Sequence, residues 1–192
     1  MELSLPYFDI EQEASISLLP QQMNGDILLK LKLNLKEKVE KRCNNNGYID
    51  KVYKIKKYED GLMLSENLSG SAVYKVLYEC RIYIPVENNN IVCEVLLITP
   101  ELIIANHENI QVFIPRTKVN GGVFDVSKDL LHMKRKEELS VGDKIIVRIL
   151  NKRINNGEKY IRSMGYLEEL ASEEDIKEYY PSDEKIESNF II

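Results

Sequence analysis

Five short runs rich in β-branched and apolar residues follow one another in the second half of the chain, at 91–98, 101–106, 110–114, 144–150 and 159–164. Each reads as a strand rather than a helix. The breaks between them carry turn chemistry: Thr99-Pro100, His107-Glu108-Asn109 and Asn155-Asn156-Gly157, the last a strong hairpin signal. Five short strands in quick succession predict a small barrel.

The long gap from Arg116 to Ser140 lies between the third and fourth of these strands. A five-stranded barrel with a long third connection fits the oligonucleotide/oligosaccharide-binding (OB) architecture, although strand number alone does not separate it from other small barrels.

The first 86 residues read differently, as an α+β domain. Asn24-Gly25-Asp26 is a plausible helix start, and Leu28, Leu31, Leu35 and Val39 recur at three- and four-residue steps, with acid-before-base pairs Asp26/Lys30 and Glu37/Lys41. The stretch 29–35 also alternates with period two, which is the strand template; the lysine-rich continuation to Arg42 favours helix. Cys43-Asn44-Asn45-Asn46-Gly47 should end that helix in a turn, because Asn and Gly tolerate positive φ. Strands are predicted at 48–55 and 72–84, and the turn Val86 to Asn90 marks the domain boundary. The expected organisation is therefore 1–86, a domain of mixed type; 87–167, the barrel; and 168–192, an acidic C-terminal tail.

Charge follows the same division. The total is −5, but residues 1–86 are net neutral, residues 87–167 carry +2 and residues 168–192 carry −7. The acidity is an appendage, so it does not argue against a polyanionic partner for the barrel. Cys43, Cys80 and Cys93 are odd in number, widely spaced and without a CxxC pair, which suits small buried hydrophobes better than a disulfide framework or a zinc site. No stretch approaches the roughly 18 apolar residues of a membrane span, and the opening MELSLPYFDIEQE lacks a basic n-region before an apolar core, so an intracellular protein without a membrane partner is expected.

Catalytic chemistry is not legible. There is no GxGxxG or GxxxxGK[ST], and Gly121-Gly122 has no strand and helix around it. His107 and His132 fall in predicted loops, outside any HxxxH or HExxH pattern, and are expected to be solvated. No catalytic residue, metal ligand or cofactor site is assigned.

Val141-Gly142-Asp143-Lys144-Ile145-Ile146-Val147-Arg148-Ile149 resembles the entry to the fourth strand of S1-type RNA-binding barrels. Gly70-Ser-Ala-Val-Tyr74-Lys-Val76-Leu-Tyr78, followed by Pro85, resembles the G-x-x-x-Y-x-V-x-Y…P strand of the larger stalk subunit of multisubunit RNA polymerases, the seventh-subunit family with its archaeal counterpart. Cys43 with Gly47-Tyr48-Ile49, Phe113-Ile114-Pro115-Arg116 and Ser163-Met164-Gly165-Tyr166-Leu167 are similar to further motifs of that family in the same order, so the resemblance runs from about residue 5 to 167.

The resemblance implies a noncatalytic subunit of a DNA-directed RNA polymerase. Its N-terminal tip domain would dock on the polymerase core subunits, its S1-like OB barrel would meet nascent single-stranded RNA, and a smaller helical stalk subunit would complete a heterodimer. Docking is expected through Cys43, Gly47, Tyr48 and the nearby Gly70. RNA contact is expected through Arg116, Arg148, Lys152, Arg153, Lys159 and Arg162. The second strand lacks the usual S1 glycine and aromatics, and Phe113 is expected in the barrel core, so RNA affinity should be electrostatic with little stacking. The Asn-, Ile- and Lys-rich wording suggests an AT-rich genome and, with it, a large cytoplasmic DNA virus; the location would then be host cytoplasm and virion, or the nucleus for a cellular eukaryotic version. The alternative is a free-standing S1-type RNA-binding module of translation or RNA decay, which would have no need of residues 43–78 in stalk-like order.

Overall fold

The computed structural model describes residues 3–63, 69–125, 130–134, 136 and 138–179. It divides into two compact units. One comprises residues 7–84 with 154–160; the other comprises 1–6, 85–153 and 161–192. The second half of the acidic tail, from residue 180, lies outside the described residues.

The first unit is a sheet with one helix. Strand β1 (Tyr7–Leu18) leads to helix α1 (Ile27–Val39), followed by β2 (Arg42–Cys43), β3 (Tyr48–Tyr58), β4 (Leu62–Met63) and β5 (Ala72–Tyr83), in the order β1-β5-β3-β2 with β4 also on β5. The helix reading of 29–35 holds. Leu31 and Leu35 are buried against Ile16, Leu18, Val52 and Val76 of the sheet, a contact that a period-two strand could not make from the same pair.

The helix stops earlier than the lysine run suggests. Glu40 turns extended, Lys41 takes φ +60°, and Arg42 and Cys43 join the sheet opposite Ile49 and Tyr48. The side chain of Glu40 accepts a hydrogen bond from Val52 N at 2.7 Å, and Lys41 Nζ donates to Asp50 Oδ1 at 2.6 Å. These tertiary bonds outweigh the helix propensity of the lysines.

Strand β5 is central, paired with β1 along all 12 residues from Ala72 opposite Leu18 to Tyr83 opposite Tyr7. Its alternating Tyr74, Val76, Tyr78, Cys80 and Ile82 face the helix and are buried. The opposite face carries cross-strand ion pairs: Arg81 with Asp9 at 3.2 Å, Lys54 with Glu79 at 3.6 Å, and Lys56 with Glu11.

The second unit contains the barrel. Strands β6 (Asn90–Ile98), β7 (Leu102–His107) and β8 (Ile110–Pro115) form a meander. After a long connection holding the small pair β9 (Phe124–Asp125) and β10 (Leu131–His132) come β11 (Lys144–Arg153) and β12 (Ile161–Leu170). The closed order is β11-β12-β8-β7-β6, with β11 returning to β6 and β12 parallel to β8. A closed barrel of five strands is consistent with the OB architecture.

Two histidines depart from expectation. His107 ends β7 only 5% exposed, and His132 is 1% exposed with its ring edge-on to Phe124 at 5.3 Å. Neither is solvated, because each sits in a strand whose apolar neighbours cover it. Helix α2 (Glu173–Tyr179) follows β12, its start fixed by Ser172 and Asp175 bonding each other. Tyr179 lies 5.2 Å from the His107 ring and donates to Ser4 O at 3.1 Å. The first part of the acidic appendage is thus built into the barrel unit.

Candidate nucleic-acid interface

Alternation on β8 sends Ile110, Val112 and Ile114 into the barrel and Gln111, Phe113 and Pro115 outward. Phe113 is therefore a half-buried surface residue, against the expectation that it fills the core. The register places it beside Ile104 of β7 and Met164 of β12, and Ile104 beside Leu97 of β6. Leu97, Ile104, Phe113 and Met164 form one apolar row across four strands, with Leu97 and Met164 at 47% and 46% exposure.

A polar row lies next to it. Glu94, Asn106, Gln111, Arg162 and Arg153 are successive cross-strand partners on β6, β7, β8, β12 and β11. Where the rows meet on β11 and β12, Phe113, Asn151, Lys152, Arg153, Arg162, Ser163 and Met164 line a shallow depression of about 340 Å³. An aromatic face flanked by guanidinium groups can stack a base and neutralise its phosphate at once.

The six basic residues named from sequence do not share one surface. Lys152, Arg153 and Arg162 converge on the depression, although Lys152 also donates to Pro85 O at 2.9 Å. Arg116 donates through Nε to Thr99 O at 3.2 Å. Arg148 pairs with Glu168 at 3.1 Å and lies 5.0 Å over the Tyr166 ring. Lys159 is exposed in the hairpin tip 154–160, which belongs to the N-terminal unit. Sequence reasoning missed Met164, Ile104 and Leu97 as surface residues; the signal was the alternation phase of each strand.

The residues named for docking also separate. Cys43, Gly47 and Tyr48 are buried, and the turn exposes Asn45 and Asn46 instead. Asn44 holds the turn: its Oδ1 accepts from Asn46 N at 2.9 Å and Gly47 N at 3.0 Å, and its Nδ2 donates to Gln12 at 2.7 Å. Tyr48 pairs with Tyr83 at one end of β5, whereas Gly70 precedes Ala72 at the other. At roughly 3.3 Å per residue that is about 35 Å, so Gly70 is not near the Cys43–Tyr48 turn. It has φ +66° and abuts Pro20, with a Cβ there falling 3.3 Å from Pro20 Cγ.

Among the described residues, no His, Cys, Asp or Glu lines the depression. Among the described residues no group of three or more His, Cys, Asp or Glu could hold a metal ion. Burial pushes the Cys43 and Cys80 thiols up to about 11, and Cys93 upward as well, so all three are poor nucleophiles at neutral pH. Burial lowers His107 to about 4, against a raising bond with the Val92 backbone and assisted by the nearby Lys144 charge. No helix among the described residues is long and apolar enough to cross a membrane.

No protein-family model matches the chain. A protein of Acanthamoeba polyphaga mimivirus that carries the name "Putative DNA-directed RNA polymerase subunit" is 34% identical over 174 residues, which cover 90% of this chain and 87% of that protein.

Proposed function

The chain belongs to the family of DNA-directed RNA polymerase subunits of large DNA viruses, represented by that mimivirus protein, and on that premise we propose that it is the noncatalytic stalk subunit of such an enzyme. It partners other polymerase subunits, docks on the core through its N-terminal unit and meets nascent RNA with its barrel, inside the infected cell. The observation that carries the reading is the outward Phe113 beside Met164, Arg162 and Arg153 on a closed five-stranded barrel. That face suits a flexible single strand better than a duplex, because stacking needs unpaired bases.

Docking belongs to the end of the N-terminal sheet that carries Gly70. There Leu62 and Met63 are 64% and 67% exposed, and Leu19 beside Pro20 is half exposed. Exposed apolar side chains at one sheet end are the feature a core pocket would take up. The smaller helical subunit that the resemblance implies needs an apolar surface of its own on this chain. Leu28, Leu29 and Leu33 on α1 remain exposed and offer that subunit an apolar stripe.

The test is recovery of the polymerase core with tagged protein from infected cells, comparing wild type with Leu62→Glu/Met63→Glu. The double variant should lose core recovery several-fold while keeping RNA affinity in filter binding. A wild-type chain recovered without other polymerase subunits would reject the stalk assignment in favour of a free-standing RNA-binding module.

A further inference from the structure

The polar row on the barrel face is charged in opposite senses at its two ends. Glu94 on β6 pairs with Asn106 on β7, Asn106 with Gln111 on β8, and Gln111 with Arg162 on β12, which faces Arg153 on β11. Neighbouring strands lie about 4.8 Å apart, so the carboxylate and the first guanidinium stand about 14 Å from each other along the row. A phosphodiester backbone is drawn to the arginine end and repelled from the glutamate end, which leaves its bases to point toward β7 and β6.

The groups at that end accept hydrogen bonds. Glu94 is exposed, and an ionised carboxylate is acceptor-only. Lys144, its neighbour on β11, lies on the side away from Asn106 and does not exhaust the roughly four lone-pair sites of the carboxylate. Asn106 Oδ1 is buried and has no hydrogen-bond partner among the described residues. The amide can therefore turn about χ2 without breaking a bond from that oxygen, and present Oδ1 to a donor that the protein does not itself supply. Ile104 and Phe113 stand two residues along β7 and β8 from Asn106 and Gln111, a step of about 7 Å. A base lying on this apolar pair has its outer edge over the two amides, with Glu94 one strand further on.

We propose that Glu94 and Asn106 make this face selective for single strands whose bases carry an exocyclic amino group, cytosine and adenine, against uracil. The proposal rests on the RNA-binding reading above and names what that site prefers. Cytosine offers its N4 amino group to the Glu94 and Asn106 oxygens and its N3 acceptor to the Gln111 amide; adenine does the same with N6 and N1. Glutamate accepting from cytosine N4 is an established form of base readout. Uracil instead presents the O4 acceptor to these oxygens, with no proton to place between them. Gln111 holds both a donor and an acceptor, so it tolerates either ring nitrogen and does not discriminate. Selectivity therefore comes as much from the unpaired uracil oxygen as from the bond gained with an amino group.

The experiment titrates the full chain into fluorescent ten-nucleotide oligocytidine, oligoadenosine and oligouridine at one salt concentration and neutral pH. The two amino-bearing strands should bind about tenfold more tightly than oligouridine, within the range of a single base-edge pair. Glu94→Gln should tighten all three, because a negative charge is removed from the face. It should also bring the cytidine-to-uridine ratio to within about twofold of equality, since an amide donates to O4 as readily as it accepts from N4. Asn106→Asp should keep the ratio and Asn106→Leu should lower it several-fold. A purely structural or electrostatic role of Glu94 would shift every oligonucleotide by the same factor and leave the ratio unchanged. Equal wild-type affinities for the three strands, or a ratio that survives both Glu94→Gln and Asn106→Leu, overturn the proposal and leave the RNA-binding reading standing. Absence of binding to all three overturns that reading itself, and the selectivity with it.

Discussion

A Cβ on Gly47 would stand 2.5 Å from the carbonyl oxygen of Tyr83 and 2.8 Å from Cγ1 of Ile84. Gly47 does not have positive φ, so its requirement is room, not backbone freedom. Because the nearest atom belongs to the backbone of β5, it cannot rotate away. Gly47→Ala should therefore destabilise the N-terminal unit by about 1–3 kcal/mol, read as a lower urea midpoint. Gly121→Ala, with nothing within 4 Å and no positive φ, should stay within about 0.5 kcal/mol of wild type. A Gly47 variant that also lost its polymerase would thus report a damaged sheet rather than a lost docking contact.

Stability should rise between about pH 4 and 6.5 through His107. Its folded pKa lies at about 4, below the ordinary value of 6.5, because burial disfavours the imidazolium. In that window the unfolded chain binds the proton and the folded chain does not. The stabilisation is full above 6.5 and is lost as pH falls toward 4, for a total of about 3 kcal/mol. Urea midpoints at pH 7 and pH 4.5 should differ more for wild type than for His107→Gln. An equal difference in the two proteins would assign the pH dependence to other groups.

The barrel was legible because its strands are short, β-branched and separated by strong turn signals; each strand named from sequence is present, although the last runs Ile161–Leu170, six residues beyond the predicted end at 164. Strand β1 was not recognised. Ile10, Ala14, Ile16 and Leu18 do repeat with period two, but Asp9, Glu11 and Glu13 between them are poor strand formers, and Gln12 interrupts the apolar face. Gln12 is accommodated by bonds from Asn44 and the Tyr78 hydroxyl, partners 32 and 66 residues distant, which no local pattern reveals. At the interface, basic residue types were readable but their convergence was not. Arg153 meets Arg162 because of the β11–β12 register, and two bulges in that ladder lie outside any alternation rule.

Single-stranded RNA binding should be salt-sensitive and localised. About three phosphate contacts give a slope of log K against log salt near −2, so a fourfold rise in salt should weaken binding roughly 20-fold. Arg153→Gln/Arg162→Gln should bring the slope to about −0.7. Lys159→Gln, in the hairpin tip of the other unit, should leave it unchanged. Phe113→Ala should cost about 1–3 kcal/mol with the slope intact, as stacking carries no counterion release. An affinity indifferent to all of these changes would remove this face as the RNA site. The measurement is fluorescence anisotropy of a short oligonucleotide at several salt concentrations.

Gly165 connects the barrel's interior to that outer face. It sits on β12 between Met164, which points outward, and Tyr166, and a Cβ on it would lie 2.3 Å from Val147 Cγ1 and 2.6 Å from Val112 Cγ1. Those methyl groups come from β11 and β8, the two neighbours of β12 in the closed order. A barrel cannot splay one strand to admit a methyl group without straining both ladders, so Gly165→Ala should cost about 1–3 kcal/mol by overpacking. Val147→Ala alone should also destabilise, by opening a cavity. Together the two changes exchange volume across one contact, and the double variant should be more stable than the sum of the single effects predicts by about 0.5–3 kcal/mol. Because Met164 pairs with Phe113 immediately beside Gly165, RNA affinity should fall in Gly165→Ala and recover in the double variant. Additive stabilities would mean that β12 relieves the added methyl group by moving away from Val112 rather than Val147, and RNA affinity would then stay low in the double variant.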